Sequence, residues 1–151
     1  MTAPRPLPKP VLHAAVLCDK AIAERVTNKW TLVGTFTTIY SNNFPAVHPE
    51  LALYLCVSDA EGRYPLSVEI DHLGVETTKT VLVPPEAGAA WTAHNRLEVY
   101  EEAFLLRGLT FHATGKYMLR VLLDGHVVGE KPIWVKAGQP THGSTPFSGG
   151  A

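Results

Sequence analysis

With 151 residues, 46% of them hydrophobic and 18% charged, the chain is long enough for one domain with a real hydrophobic core and lies well away from disordered or membrane-spanning compositions. Thirteen basic residues against fourteen acidic ones leave a formal charge of -1, so there is no cationic surplus to neutralise a phosphate backbone or an anionic bilayer. No apolar run approaches the roughly 20 residues needed to span a membrane, which predicts a soluble protein without nucleic-acid or membrane partners.

The first ten residues, MTAPRPLPKP, carry prolines at positions 4, 6, 8 and 10 and predict an extended, polyproline-like arm over residues 1–10. The apolar run VLHAAVLC that follows has basic residues ahead of it, Arg5 and Lys9, in the manner of a weak export signal ending at Cys18. It is too short, contains His13, and places bulky Leu17 where cleavage needs a small residue, so it reads as the first strand. Cys18 and Cys56 lie in apolar stretches without C-x-x-C spacing, which predicts free buried thiols and a reducing, cytoplasmic setting.

A turn at Thr27-Asn28-Lys29 precedes Trp30, Leu32, Gly34 and Phe36, which alternate with Thr31, Val33, Thr35 and Thr37 at the period of a strand. Leu51, Leu53, Leu55 and Val57 alternate with residues that are themselves mostly apolar, the pattern of a central strand. Tyr64, Leu66, Val68, Ile70 and His72 form an inward row against outward Pro65, Ser67, Glu69 and Asp71, and Asp59-Ala60-Glu61-Gly62 is expected to join these two strands as a hairpin. Glu76 to Val83 reads as a further strand ended by Pro84-Pro85, and GAAWTAHN as a loop.

The segment RLEVYEEAFLLRGLTF places Leu97, Tyr100 and Phe104 at helical spacing while Leu97 and Val99 alternate as in a strand; its β surroundings favour the strand. Last comes GKYMLRVLLDGHVVGEKPIWV, a hairpin turning at Asp124-Gly125. A two-residue turn there sets Leu119 opposite Glu130, so a three-residue loop or a bulge near Pro132 is expected to reset the alternation before Trp134. Pro132 cannot donate to a ladder, which predicts an edge strand ending in PIWVK. The fold predicted is all-β, a two-sheet antiparallel sandwich of immunoglobulin-like look with seven or eight short strands over residues 11–137, followed by a Gly/Ser/Thr/Pro-rich tail over 138–151.

LCD at 17–19, LVGTF at 32–36, FPAVHPELALYL at 44–55 and GKYMLRVLLDG at 115–125 resemble an uncharacterised family of short bacterial proteins, a domain of unknown function. The resemblance covers about residues 11–137 and implies a β-sandwich and a bacterial setting. It brings no catalytic or binding residues.

Chemistry-bearing patterns are sparse. The seven histidines share no H-x-H, H-x-x-H or H-x-x-x-H spacing, so no metal site and no cofactor are predicted. Glu101 and Glu102, adjacent on a strand, point to opposite faces and cannot serve as an acid–base pair. There is no G-x-S-x-G and no glycine-rich phosphate loop. No catalytic residues are assigned.

Recognition is expected instead. Trp91, His94, Asn95 and Arg96, with Phe44 and His48 of a second loop, are the candidate small-ligand or carbohydrate site, against the plainer reading that Trp91 and Phe44 plug the ends of the sandwich. Pro132, Ile133, Trp134 and Val135 of the last strand, with Phe147 of the tail, are the candidate protein-interaction residues. The function predicted is a non-catalytic interaction or assembly module with a protein partner or a copy of itself. The alternatives are a ligand-binding sandwich and an enzyme assembled from separate strands around His72, His112 or a carboxylate.

Overall fold

The computed structural model describes residues 3–74, 80–83 and 89–140. Ten strands run in chain order: β1 (Val11–Ala23), β2 (Trp30–Thr35), β3 (Thr38–Ser41), β4 (Ala46–Ser58), β5 (Gly62–Leu73), β6 (Thr80–Val83), β7 (Ala90–Ala93), β8 (Tyr100–Phe111), β9 (Gly115–Leu123) and β10 (His126–Ala137). No helix occurs among the described residues. The all-β, two-sheet expectation holds, but the strands are more numerous than seven or eight, and five of them reach 12 or 13 residues rather than being short.

One sheet has the order β2-β1-β4-β8; the other has β3-β10-β9-β5-β6, with β7 pairing the start of β5. One of the two is curled into a half-barrel. Bending is severe along the first hairpin. Trp30 pairs with Ala23, and Tyr54 with Val16, positions about 23 Å apart along a flat β1. Their rings nevertheless lie 5.9 Å apart, so the β1–β2 hairpin folds back over its own sheet.

The core follows the alternation that made the strands legible. Leu51, Leu53, Leu55 and Val57 of β4 face Tyr64, Leu66, Val68 and Ile70 of β5, Leu119, Val121 and Leu123 of β9, and Ile133 and Val135 of β10; all are buried. This facing arrangement corrects the expected β4–β5 hairpin. The turn at 59–61 carries the chain from one sheet to the other, since β4 pairs only β1 and β8 while β5 pairs β9, β6 and β7. A hairpin would lay both apolar rows on one face of one sheet, whereas an arch lets them bury each other. Asp59, at φ 56, and Gly62, at φ 120, supply the left-handed turns of this arch.

A second crossing separates β2 from β3. The alternation that runs on through Phe36 and Thr37 breaks there, and β3 joins the other sheet beside β10. That pairing is parallel, so the sheet is not wholly antiparallel as expected. In the last hairpin the expected reset occurs, but the two-residue turn is kept and the bulge falls between Val127 and Gly129, next to the turn and not near Pro132. It brings Glu130 opposite Arg120, and Arg120 Nε donates to Glu130 Oε1 at 2.9 Å. The same guanidinium bonds Asp71, and these two carboxylates hold its pKa above the usual value.

Candidate interaction site

The residues expected to form a ligand site do not converge. Residues 44–49 lie at the start of β4 and residues 91–96 beyond its far end, about 40 Å away along the strand. Trp91 is on a strand, not in a loop: it pairs with Tyr64 and is only 3% exposed, its ring 6.1 Å from that of Phe104. It therefore offers no stacking platform, which removes the sugar-binding reading of this residue. The rest of that stretch serves the local turn. Tyr100 Oη accepts hydrogen bonds from the backbone N–H groups of His94 and Asn95, and Asn95 Oδ1 accepts from Leu97 N–H.

Arg96 lines a shallow cavity of about 250 Å³ with Glu61 and the arm residues Arg5 to Pro8. Phe44 is half-buried against the core, and residues 46–49 belong to β4, which corrects the loop expected there. His48 packs against Phe36, ring centroids 5.7 Å apart, beside a shallow groove of about 330 Å³ that includes Asp19 and Tyr40. No group of three or more His, Cys, Asp or Glu side chains able to hold a metal occurs among the described residues.

Of the expected interaction residues, Ile133 and Val135 are core and Pro132 is exposed. Trp134 is exposed, with the ammonium groups of Lys116 and Lys136 at 5.9 and 6.0 Å from its ring centroid. Phe147 lies outside the described residues. The edge predicted at PIWVK is not free. Strand β3 pairs Trp134 through Ala137, and the start of β1 crosses the earlier part of β10, where Lys131 Nζ donates to Ala15 O at 2.9 Å. Leu12 sits so close to Gly129 that an added Cβ would lie 2.1 Å from its Cδ2. Pro132 is tolerated because the ladder with β3 starts only beyond it.

The N-terminal arm is also occupied. Tyr64 Oη donates to Pro8 O at 2.8 Å and accepts from Glu61 N–H at 3.1 Å, while Leu7 packs over Gly62, where a Cβ would meet it at 2.7 Å. The arm thus lies on the end of its own domain and walls a cavity of about 390 Å³ with Tyr64, Leu123 and His126.

The long unpaired edge is elsewhere, on β8. It pairs with β4 along its whole length, from Val57↔Tyr100 to Ala46↔Phe111, and no described strand pairs its other side. Its inner row, Phe104 and Leu106, lies beside Leu53 and Leu51. Its outer row, Glu101, Ala103, Leu105 and Arg107, lies beside Cys56, Tyr54, Ala52 and Glu50. Leu105 is 56% exposed. Arg107 Nε donates to Glu50 Oε2 at 2.8 Å, and the Tyr54 hydroxyl donates to Glu101. Burial, then the Glu101 hydrogen bond and charge, push the Tyr54 hydroxyl well above its usual pKa; burial and the same carboxylate raise the Cys56 thiol. Neither group is an activated nucleophile. Gly108, at φ 66, ends the regular alternation, so that Leu106 and Leu109 both reach the core. The sequence signal was available, since β8 contains neither proline nor lysine, but its mixed helical and strand spacing hid an edge.

The pattern of a family of unknown function, DUF6941, matches residues 13–136, and the chain belongs to that family. No curated protein matches. A solved structure, the Pseudomonas fluorescens alkylpurine DNA glycosylase AlkC bound to DNA containing an abasic site analog, is similar in shape, with a TM-score of 0.51 and 12% identity over 83% of this chain. The chain spans about 30% of the length of that protein, and at this identity the likeness concerns the fold alone. No helix among the described residues is long and apolar enough to cross a membrane.

Proposed function

We propose that this chain is a non-catalytic protein-interaction module that takes on a strand along the free side of β8. The single observation behind this reading is the edge itself: 12 residues that, among the described residues, are paired on one side only, with Leu105 exposed at its centre. Edge strands that must stay solitary are usually kept short or blunted by proline, lysine or covering segments; β8 has neither residue type and is long, and β6 comes near it without pairing. Added strands gain main-chain hydrogen bonds there, and the side-chain rows on the two faces supply specificity. The interaction site expected at Pro132 to Val135 is thereby moved to the opposite sheet, because β3 already occupies that edge.

In this reading the sandwich is immunoglobulin-like in plan, supported by its two facing sheets and the chain crossings at 36–37 and 59–61. The setting is cytoplasmic, supported by the two free thiols, Cys18 and Cys56. The partner is a protein and not a nucleic acid: the likeness to a DNA-bound glycosylase concerns the fold alone, and a formal charge of -1 supplies no cationic surplus.

Photo-crosslinking tests the edge. A photoreactive residue at position 105 in source cells should give one discrete protein adduct, and the same residue at position 92, on exposed Thr92 of β7, should give none. Absence of any adduct from position 105 would count against strand addition at β8.

A further inference from the structure

Resting on the strand-addition reading, we infer that the strand β8 accepts is β8 of a second copy, the two running antiparallel about a two-fold axis at Phe104. The outer row reads Glu101, Ala103, Leu105, Arg107 along the edge. Turned about Phe104, it faces its own reverse: Glu101 opposes Arg107 of the partner subunit, and Ala103 opposes Leu105 of the partner subunit, each contact occurring twice. Two opposite-charge pairs flank two small-against-large apolar pairs, the combination that stabilises neighbouring strands. Leu105, exposed in the single chain, is covered beside a methyl group that leaves room for it.

This register satisfies the outer row and keeps the parity of the inner one, where it sets exposed Glu102, toward the end of the ladder, opposite Leu106 of the partner subunit. Antiparallel pairings displaced by one position set outward residues against inward ones, and an edge over a buried core does not tolerate that. A displacement by two leaves Glu101 or Arg107 facing an apolar residue and removes both charge pairs. On the inner row the axis sets Phe104 beside its own symmetry mate. Phe104 is already half-buried against the core, and in the pair the two rings extend one continuous apolar layer from sheet to sheet.

The charged groups are placed for it. Arg107 is bound to Glu50 through Nε alone, and its remaining donors are free to take a second carboxylate. Glu101 receives Tyr54 on Oε1 and keeps its other oxygen. The positive φ of Gly108 bends the chain just past Arg107 and bounds the ladder at that end. By symmetry the same bend lies beside Tyr100 of the partner subunit. The resulting assembly is isologous, with one continuous sheet of the order β2-β1-β4-β8 followed by its mirror order.

Light scattering of the full chain across a concentration series tests the pairing, with circular dichroism confirming the fold of each variant. A dimer is expected. Glu101→Lys and Arg107→Glu, each alone, set like charges opposite one another and should raise the dimer dissociation constant about tenfold or more. The two together restore opposite charges and should recover most of that loss. As a second measurement insensitive to charge, the Ala103→Cys/Leu105→Cys double variant should form a disulfide-linked dimer under mild oxidation, because the register places each new cysteine against the other one of the partner subunit. A chain that stays monomeric at every concentration and does not crosslink overturns the self-pairing. So does a dimer indifferent to both single reversals. In either case, an adduct from position 105 to a different protein in cells would leave strand addition at β8 standing and replace only its partner.

Discussion

Tyr64 shows how one side chain serves two levels of structure. Its ring is core, 1% exposed, yet its hydroxyl reaches the end of the domain and joins the Pro8 carbonyl to the Glu61 N–H. A proline-rich arm has little of its own to fold with, so the tether and the contact of Leu7 over Gly62 keep it on the surface. Tyr64→Phe preserves the packed ring and removes only these bonds. It should cost about 1 kcal/mol, and it should speed amide exchange at Glu61, whose N–H loses its acceptor. A melting midpoint lowered by about 2–4 °C together with unprotected Glu61 is the expected pair of readings; an unchanged Glu61 exchange rate would show that the hydroxyl is not the tether. The role was not legible in the sequence. By its alternation Tyr64 is an ordinary inward residue of β5, and nothing local announces that residue 8 lies against it.

At the scale of the element, two glycines in strands are glycine for different reasons. Gly108 of β8 sits at φ 66 with open space where a Cβ would point, so its requirement is conformational. Gly129 of β10 has no left-handed backbone, but a Cβ there would run into Leu12 of β1. The two should respond oppositely to the same replacements. Gly108→Asn should cost less than Gly108→Val, because asparagine tolerates the left-handed region, with the valine variant losing about 1–2 kcal/mol. For Gly129→Ala the loss should instead be relieved by shortening the neighbour in Leu12→Ala/Gly129→Ala, a non-additivity that urea unfolding of the two single variants and the double variant measures. If Leu12→Ala and Gly129→Ala simply add, the close approach of β1 to β10 is not what fixes Gly129. This approach also explains why β10, which reads as an edge from Pro132 alone, is closed on that flank.

For the whole molecule the sheets act on titration through burial. Burial raises the pKa of the Cys18 and Cys56 thiols from an ordinary 9.0 and of the Tyr54 and Tyr117 hydroxyls from an ordinary 10.0. In each case the folded chain holds its proton after the unfolded chain has released it. Their contribution is therefore complete below about pH 9 and is lost progressively as pH rises past the unfolded values. Unfolding free energy measured in urea should be flat through neutrality on account of these groups and fall above pH 9, and Cys56→Ala should flatten the first part of that fall. A decline in the wild-type chain that Cys56→Ala leaves unaltered would assign it elsewhere.

What the sequence by itself determined was local. Period-two alternation marked β2, β4, β5, β9 and β10, favoured a strand for β8, and gave an all-β chain with its core rows named, because the direction of a side chain on a strand depends only on its parity. What only the tertiary structure decided was neighbourhood. The turn at 59–61 became an arch, Trp91 became core, Pro132 lost its edge to β3 and β1, and β8 became the long strand that no other described strand pairs on one side. Strand order and edge status arise from hydrogen bonds between segments far apart in sequence, and a residue's alternation carries no mark of which segment those bonds will reach.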